Sequence, residues 1–318
     1  MRLFISGSIA FDYLMAFPGR FREHILPDKL DRLSVSFLVD SLHRRRGGCA
    51  ANIAYNLALM GEHPLLIGTA GRDFESYGRE LADAGVDTSG VCVCSDVYTA
   101  SFFANTDSEG NQIASFYPGA MQYAARLSLK ELCRDQGIAI VSPNDPGAMM
   151  GHVRQCVQMG IPYIFDPSQQ IVRLSGEELT EGSRGAYMVI FNEYELEMFG
   201  KKTNMKEPDL LEGAEVVVVT LGEKGARISV KDRVVEIPPA RPECVLDPTG
   251  VGDAFRAGLM KGIVHGLKWE TAGRMGSLAA VYVLETDGPQ NHRYALVDFL
   301  KRYREQFGSD TGLEELTA

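Results

Sequence analysis

The string Asp247-Pro248-Thr249-Gly250-Val251-Gly252-Asp253-Ala254-Phe255 holds the residues best suited to chemistry. Its glycines free the backbone to turn tightly and to bring N–H groups close to a ligand. Phe255, Leu259 and Ile263 recur at helical spacing, so a helix begins near Asp253. The glycines then sit at a helix N-terminus, where unpartnered N–H groups and the helix dipole favour an anion such as phosphate. Asp253 falls in the first turn. The same dipole favours its carboxylate, which can accept a hydroxyl proton at neutral pH. Read alone, the stretch is equally a glycine-rich loop with an Asp cap.

The elements that must position this loop alternate in type. Continuous apolar runs at 3–5, 65–67, 138–141, 161–165, 187–191 and 216–220 read as buried strands. Helical patterns fall at 52–60, 77–84, 148–159, 253–266, 270–285 and 294–306. Apolar strands interleaved with helices predict an α/β fold, a doubly wound, mostly parallel sheet with helices on both faces. Residues 33–38 and 99–116 instead alternate polar and apolar side chains. Ser108-Glu109-Gly110-Asn111 reads as a hairpin turn between strands at 99–105 and 112–116. These half-exposed strands predict a small β-sheet lid, formed by about 13–40 and 97–118. The expected organisation is one domain over 1–308 and a frayed polar tail over 309–318.

Composition sets the outer limits. The 318 residues are 45% hydrophobic and 23% charged, so the chain can bury a globular core. A net charge of −10 argues against a nucleic-acid partner. The basic run His43-Arg44-Arg45-Arg46 is too short to change that, although it could steer an anionic ligand locally. No run is long enough to span a bilayer, and the residues after Met1-Arg2 predict no secretory signal. The six cysteines form no C-x-x-C pair. Cys92 and Cys94, at strand spacing, are expected to be buried reduced thiols. A reducing cytoplasm is the expected location.

The nine-residue string resembles the second signature of the ribokinase-like, or PfkB, carbohydrate kinase family. Gly47-Gly48-Cys49-Ala50-Ala51-Asn52 resembles the first signature, Asn192-Glu193-Tyr194-Glu195 an N-x-x-E motif, and Thr220-Leu221-Gly222-Glu223-Lys224-Gly225 a nucleotide-binding turn. Gly288-Pro289 matches the late loop near the adenine site, so the resemblance runs from about residue 3 to 290. Rival nucleotide motifs are absent: Gly7-Ser8-Ile9-Ala10 is no G-x-G-x-x-G, and Gly200-Lys201-Lys202 lacks the rest of a Walker loop.

The resemblance implies a ribokinase-like fold and phosphoryl transfer from ATP with Mg²⁺. It makes Asp253 the base and the backbone of Gly250, Val251, Gly252 and Asp253 the anion hole. Asn192 and Glu195 would organise magnesium and the triphosphate. Thr220, Gly222, Gly225 and Gln112 would contact the nucleotide. Asp247 and Thr249 resemble part of a monovalent-cation site, which makes K⁺ a candidate. Asp12 and Asn52 would bind acceptor hydroxyls, and Gly48 would let the acceptor approach the backbone. Without the family, Asn192 and Glu195 also read as a plain helix cap and Asp12 as a loop acid.

For the acceptor, ribokinases carry Lys at the position of Cys49 and Asn at that of Ala10. Longer strings are similar to prokaryotic broad-specificity nucleoside kinases: Gly7-Ser8-Ile9-Ala10-Phe11-Asp12, the stretch from Gly19 to Pro27, Phe116-Tyr117-Pro118-Gly119-Ala120-Met121, and Phe165-Asp166-Pro167-Ser168-Gln169. Phe102, Phe116 and Met121 could sandwich a purine or simply form lid core, and Gln169 could read a base edge. The expected function is 5′-phosphorylation of a nucleoside (adenosine, inosine or guanosine), with a homodimer as the assembly to test. The rivals are a sugar kinase of the same fold and a catalytically silent nucleotide-binding regulator.

Overall fold

Leu3, Phe4 and Ile5 are all buried although successive strand residues point to opposite faces, which requires cover on both sides. Leu3 and Ile5 join a core with Ile53, Leu57, Leu259 and Leu278, whereas Phe4 joins a second core with Val153, Phe165 and Phe199. The structure, a computed structural model, describes residues 1–25, 31–32, 34–309 and 312–317.

Thirteen strands are present among the described residues: β1 (Arg2–Ser6), β2 (Ala10–Ala16), β3 (Ser41–Gly47), β4 (Leu65–Gly71), β5 (Val91–Cys94), β6 (Ala100–Thr106), β7 (Gln112–Tyr117), β8 (Gly137–Val141), β9 (Tyr163–Phe165), β10 (Met188–Asn192), β11 (Val216–Thr220), β12 (Ala226–Val230) and β13 (Arg233–Ile237). Nine form one sheet in the order β13-β12-β11-β10-β9-β8-β1-β4-β5. It is parallel from β11 to β5, with β12 and β13 antiparallel at one edge. The expected doubly wound sheet is therefore present, and its continuous apolar strands are its central ones.

The remaining strands make a separate sheet, β3-β2-β6-β7, as the expected lid requires. Its composition differs from the sequence reading. Residues 34–39 form no strand, Leu33 lies outside the described residues, and the lid edge is the polar Ser41–Gly47 instead. Asp12 is on strand β2 rather than in a loop, paired with Arg45 and Phe102. Alternation alone misplaces such strands because β3 carries charge on a row where a buried strand would carry apolar side chains. Leu26 and Pro27, in the stretch expected to mark a nucleoside kinase, fall outside the described residues.

Three smaller expectations also change. All six cysteines are unpaired, but Cys92 is exposed and Cys94 only half-buried, because β5 is an edge strand. The tail is not simply frayed. Leu313–Thr317 forms a short 3₁₀ turn, with Leu313 and Leu316 in the core. The basic run is consumed locally: Arg44 pairs with Asp73, Arg45 with Asp247 and Asp287, and Arg46 with Glu80. No helix of the described residues is long and apolar enough to cross a membrane.

Candidate active site

The parallel strands end at Ser6, Val141, Phe165, Asn192 and Thr220, and a cleft of about 610 Å³ opens above these ends and below the small sheet. Ligands bind at such carboxyl ends in open α/β sheets. A larger groove of about 960 Å³ lies between the helices Pro146–Met159 and Gly176–Ser183, lined by Arg154, Glu181 and Lys202. Its Arg154 and Glu181 pair with each other at the surface, whereas the smaller cleft gathers Asp12, Asn52, Asn192, Glu195 and Asp253.

The helix Val251–Val264 starts two residues earlier than its apolar spacing implies. Gly250 caps it with a φ of 81°, and a Cβ there would lie 2.5 Å from Pro289 Cβ, so glycine is required twice over. The Val251 N–H, expected in the anion hole, is instead turned to Pro248 O at 3.3 Å. Gly250, Gly252 and Asp253 line the cleft, and Val251 does not.

Asp253 is held by a chain of hydrogen bonds. Asn52 Nδ2 donates to its Oδ2 at 2.8 Å, and Gln290 Nε2 donates to Asn52 Oδ1 at 2.8 Å and to Tyr77 Oη at 2.6 Å. Tyr77 Oη in turn donates to Gly47 O at 2.8 Å. Asn52, expected to bind acceptor hydroxyls, thus first fixes the Asp253 carboxyl. On the other side Arg256 Nη1 donates to Gly252 O at 2.9 Å and Nη2 to Asp166 Oδ1 at 2.6 Å, an ion pair that is almost fully buried. Burial pushes the Asp253 carboxyl up to about 6, against the pull of Arg256, Asn52 and the Cys49 thiol. The helix dipole therefore does not dominate, and burial sets the direction of the shift.

The lid supplies the facing wall. Asp12, Phe102 and Phe116 are register partners across β2, β6 and β7, so one row of the small sheet presents an acid and two aromatic rings. All three line the cleft, with Phe116 half-exposed and Met121 buried against Ala10 and Ala100 at the sheet's base. Burial lifts the Asp12 carboxyl to about 6, offset by Arg45 and reinforced by Asp247 and Asp253. Gly48 has a φ of 94°, and a Cβ on it would meet Ser8 O at 2.6 Å, so only glycine fits where the first signature turns into its helix. Gln169 lines the cleft and donates to Cys49 Sγ at 3.6 Å.

At the other end of the cleft, Asn192 and Glu195 form a reciprocal cap at 2.8 Å in each direction, and Ser168 Oγ donates to Glu195 Oε1 at 3.1 Å. The plain-cap reading is thus realised, and both residues still line the cleft with Thr220. Ser168 has a φ of 41°, strained for a residue with a side chain, as at functional sites. Gly222 and Gly225 shape the turn after β11 without lining the cleft. Gln112 lies at the far end of the lid hairpin, bonded to Thr106 Oγ1, and is not brought to the site. Among the described residues no group of three or more His, Cys, Asp or Glu side chains could hold a metal alone.

Sequence reasoning missed Ser8, Ser168, Gln170 and Arg256 in the cleft wall, and Gln290 behind it. Arg256 had a signal as a cation one helical turn beyond Asp253, and Ser8 and Ser168 lie in the strings that resemble nucleoside kinases.

A carboxylate beside glycine N–H groups at one helix N-terminus, at the carboxyl edge of a doubly wound sheet, is the arrangement that phosphoryl transfer to a hydroxyl requires. Residues 11–294 match the model of the pfkB family carbohydrate kinases, and the chain belongs to that family. A nucleoside kinase of Methanothermobacter thermautotrophicus is 30% identical over 95% of both chains. The nucleoside kinase of Burkholderia thailandensis in complex with inosine is 38% identical, with a TM-score of 0.86 over 96% of this chain and 98% of that one. The same enzyme in complex with ADP-inosine gives 39% identity and a TM-score of 0.84 over 96% of each chain. The Methanocaldococcus jannaschii nucleoside kinase, an archaeal member of the ribokinase family, is 26% identical with a TM-score of 0.85 over 96% of this chain and 98% of that one. The fold is ribokinase-like.

Proposed function

We propose that the protein transfers the γ-phosphoryl group of Mg-ATP to the 5′-hydroxyl of a nucleoside, with adenosine, inosine and guanosine as the first candidates. One observation carries the reading: the row Asp12–Phe102–Phe116 sets a hydroxyl-binding acid beside two aromatic rings, opposite Asp253. A flat base stacks on such rings, and the ribose hydroxyls are left to Asp12. The relatives reported above, which are nucleoside kinases, support the same choice.

In the reaction, the 5′-oxygen attacks the γ-phosphorus as its proton passes to Asp253 Oδ1, the oxygen Asn52 leaves free, and the bond to ADP breaks. The N–H groups at 250, 252 and 253 take up charge on the moving phosphoryl group. The residues fit magnesium only together with phosphate oxygens. Glu195 is the carboxylate that would hold it at the triphosphate, where it would offset developing charge. Asn192 and Thr220 would position the phosphates.

The test is a product assay with Mg-ATP and a panel of adenosine, inosine, guanosine, cytidine, ribose and fructose. The expected products are nucleoside 5′-monophosphates. A free sugar that outpaces every nucleoside would replace this reading with a sugar kinase.

A further inference from the structure

Arg45 lies on the lid strand β3, opposite Asp12 in the β2–β3 ladder, but its guanidinium leaves the lid. Nη1 donates to Asp247 Oδ2 at 2.7 Å, and Nη2 donates to Asp287 Oδ1. Asp247 opens the glycine loop that ends in Asp253, and Asp287 stands at the head of the loop carrying Gly288, Pro289 and Gln290. Those two loops touch directly as well, since Gly288 N donates to Asp247 Oδ2 at 3.1 Å and Pro289 packs on Gly250. The guanidinium thus closes a triangle of lid strand, anion-hole loop and the loop that orients the base through Gln290 and Asn52.

The same contacts bear on the monovalent cation that Asp247 and Thr249 were expected to help bind. Asp247 Oδ1 accepts from Thr249 N at 2.9 Å, and Oδ2 already serves Arg45 and Gly288. The Arg45 and Asp247 side chains are only 18% and 11% exposed. A fixed positive charge at 2.7 Å from the carboxylate occupies the place a loose cation needs and repels one nearby. The donor set does not fit K⁺.

We propose that Arg45 is a built-in cation that positions the anion-hole loop from the lid, so that this loop needs no monovalent metal ion. The inference rests on the kinase reading but not on the identity of the acceptor. A guanidinium fork can hold two carboxylates in one plane, which a point charge cannot. Because Asp12 shares the strand pair, seating an acceptor on the lid also sets the loop that receives the phosphoryl group. Arg45 is a positioning residue, since it does not line the cleft and acts through Asp247 and Asp287.

The experiment compares the wild type with Arg45→Ala, Arg45→Lys and Asp287→Asn in chloride salts of potassium, sodium, tetramethylammonium and guanidinium at millimolar concentration. The wild type should give the same kcat in potassium and tetramethylammonium to within about twofold. Arg45→Ala should lose about 10–100-fold in kcat, the scale of a misplaced catalytic group, with a smaller change in acceptor KM. Guanidinium should restore a large part of that loss, potassium a smaller part and tetramethylammonium none. Arg45→Lys should fall between. Asp287→Asn, which removes only the charge of an exposed partner, keeps the test available if Arg45→Ala does not fold, and should lower kcat by a few-fold. An Arg45→Ala enzyme with wild-type kcat, no loss in Asp287→Asn, or a wild type that potassium stimulates severalfold over tetramethylammonium would each overturn the proposal. Absence of phosphotransfer by the wild type with any acceptor would instead count against the kinase reading itself.

Discussion

The two walls of the cleft are built differently. On the proposed phosphate side, Asp253, Asn52, Gln290, Tyr77, Arg256 and Asp166 form one buried network behind a glycine loop. On the proposed acceptor side, every residue of β7 is exposed, and the lid meets the main body through Phe11, Met121 and the three arginines of β3. Backbone N–H groups and a fixed carboxylate suit a transition state whose geometry does not vary with the acceptor. Exposed rings on a separate sheet suit a choice among acceptors. The contrast predicts that changes on the first wall reduce turnover of all acceptors equally, and changes on the second redistribute it among them.

The largest expected effect is from Asp253→Asn. Turnover should fall about 10²–10⁴-fold for every acceptor, while the melting temperature does not drop, because a buried charge has been removed. Single-turnover rates and calorimetry check this, and a residual rate above about a tenth of wild type would remove Asp253 as the base.

Acid should act through the same group. Burial raises the folded Asp253 carboxyl from 3.8 to about 6, so protonation on acidification removes the base. Below that value loss of the Asp253 carboxylate alone lowers kcat/KM about tenfold per pH unit, and above it the profile should level off. Asp12 is raised to about 6 by burial too, so the wild-type limb contains both groups. In Asp12→Ala the limb should persist with a single proton's slope. A flat profile from pH 5 to 8 would contradict both assignments.

On the acceptor wall, Phe116→Ala should lose about 1–3 kcal/mol in nucleoside kcat/KM, the worth of one stacked base, and nothing with ribose. Asp12→Ala should instead weaken all nucleosides alike, since each presents the same ribose. Gln169→Ala should have the smallest effect, a change in the ranking of adenosine, inosine and cytidine with little change for the poorest of them. A uniform loss from Gln169→Ala would mean that it supports Cys49 rather than reading the base.

The same contrast explains what was legible in the sequence. The glycine loop, Asp253 and the parallel strands are local signals: two glycines, a helix start, and apolar runs such as Val216–Thr220 that must be covered on both faces. The lid was only half legible. The hairpin of β6 and β7 announces itself by its turn, but β3 carries His43, Arg44, Arg45 and Arg46 on a strand that burial does not pattern. What sequence could not give is partnership at a distance. Arg45 meets Asp247 across 202 positions, Asn52 meets Asp253 across 201, and Arg256 meets Asp166 across 90. Such pairs are set by how the strands are ordered in the sheet, and no local pattern records that.

The central claim is that the acceptor wall selects a nucleoside for a phosphate wall that is indifferent to it. The most direct measurement is the ratio of kcat/KM for inosine over ribose in the wild type, in Phe116→Ala and in Asp253→Asn. The account predicts a wild-type ratio of at least about tenfold, only ~1.4 kcal/mol, a sharp reduction in Phe116→Ala, and an unchanged ratio in Asp253→Asn despite its low rates. A wild-type ratio near or below one, or a ratio that Phe116→Ala leaves intact, would contradict it.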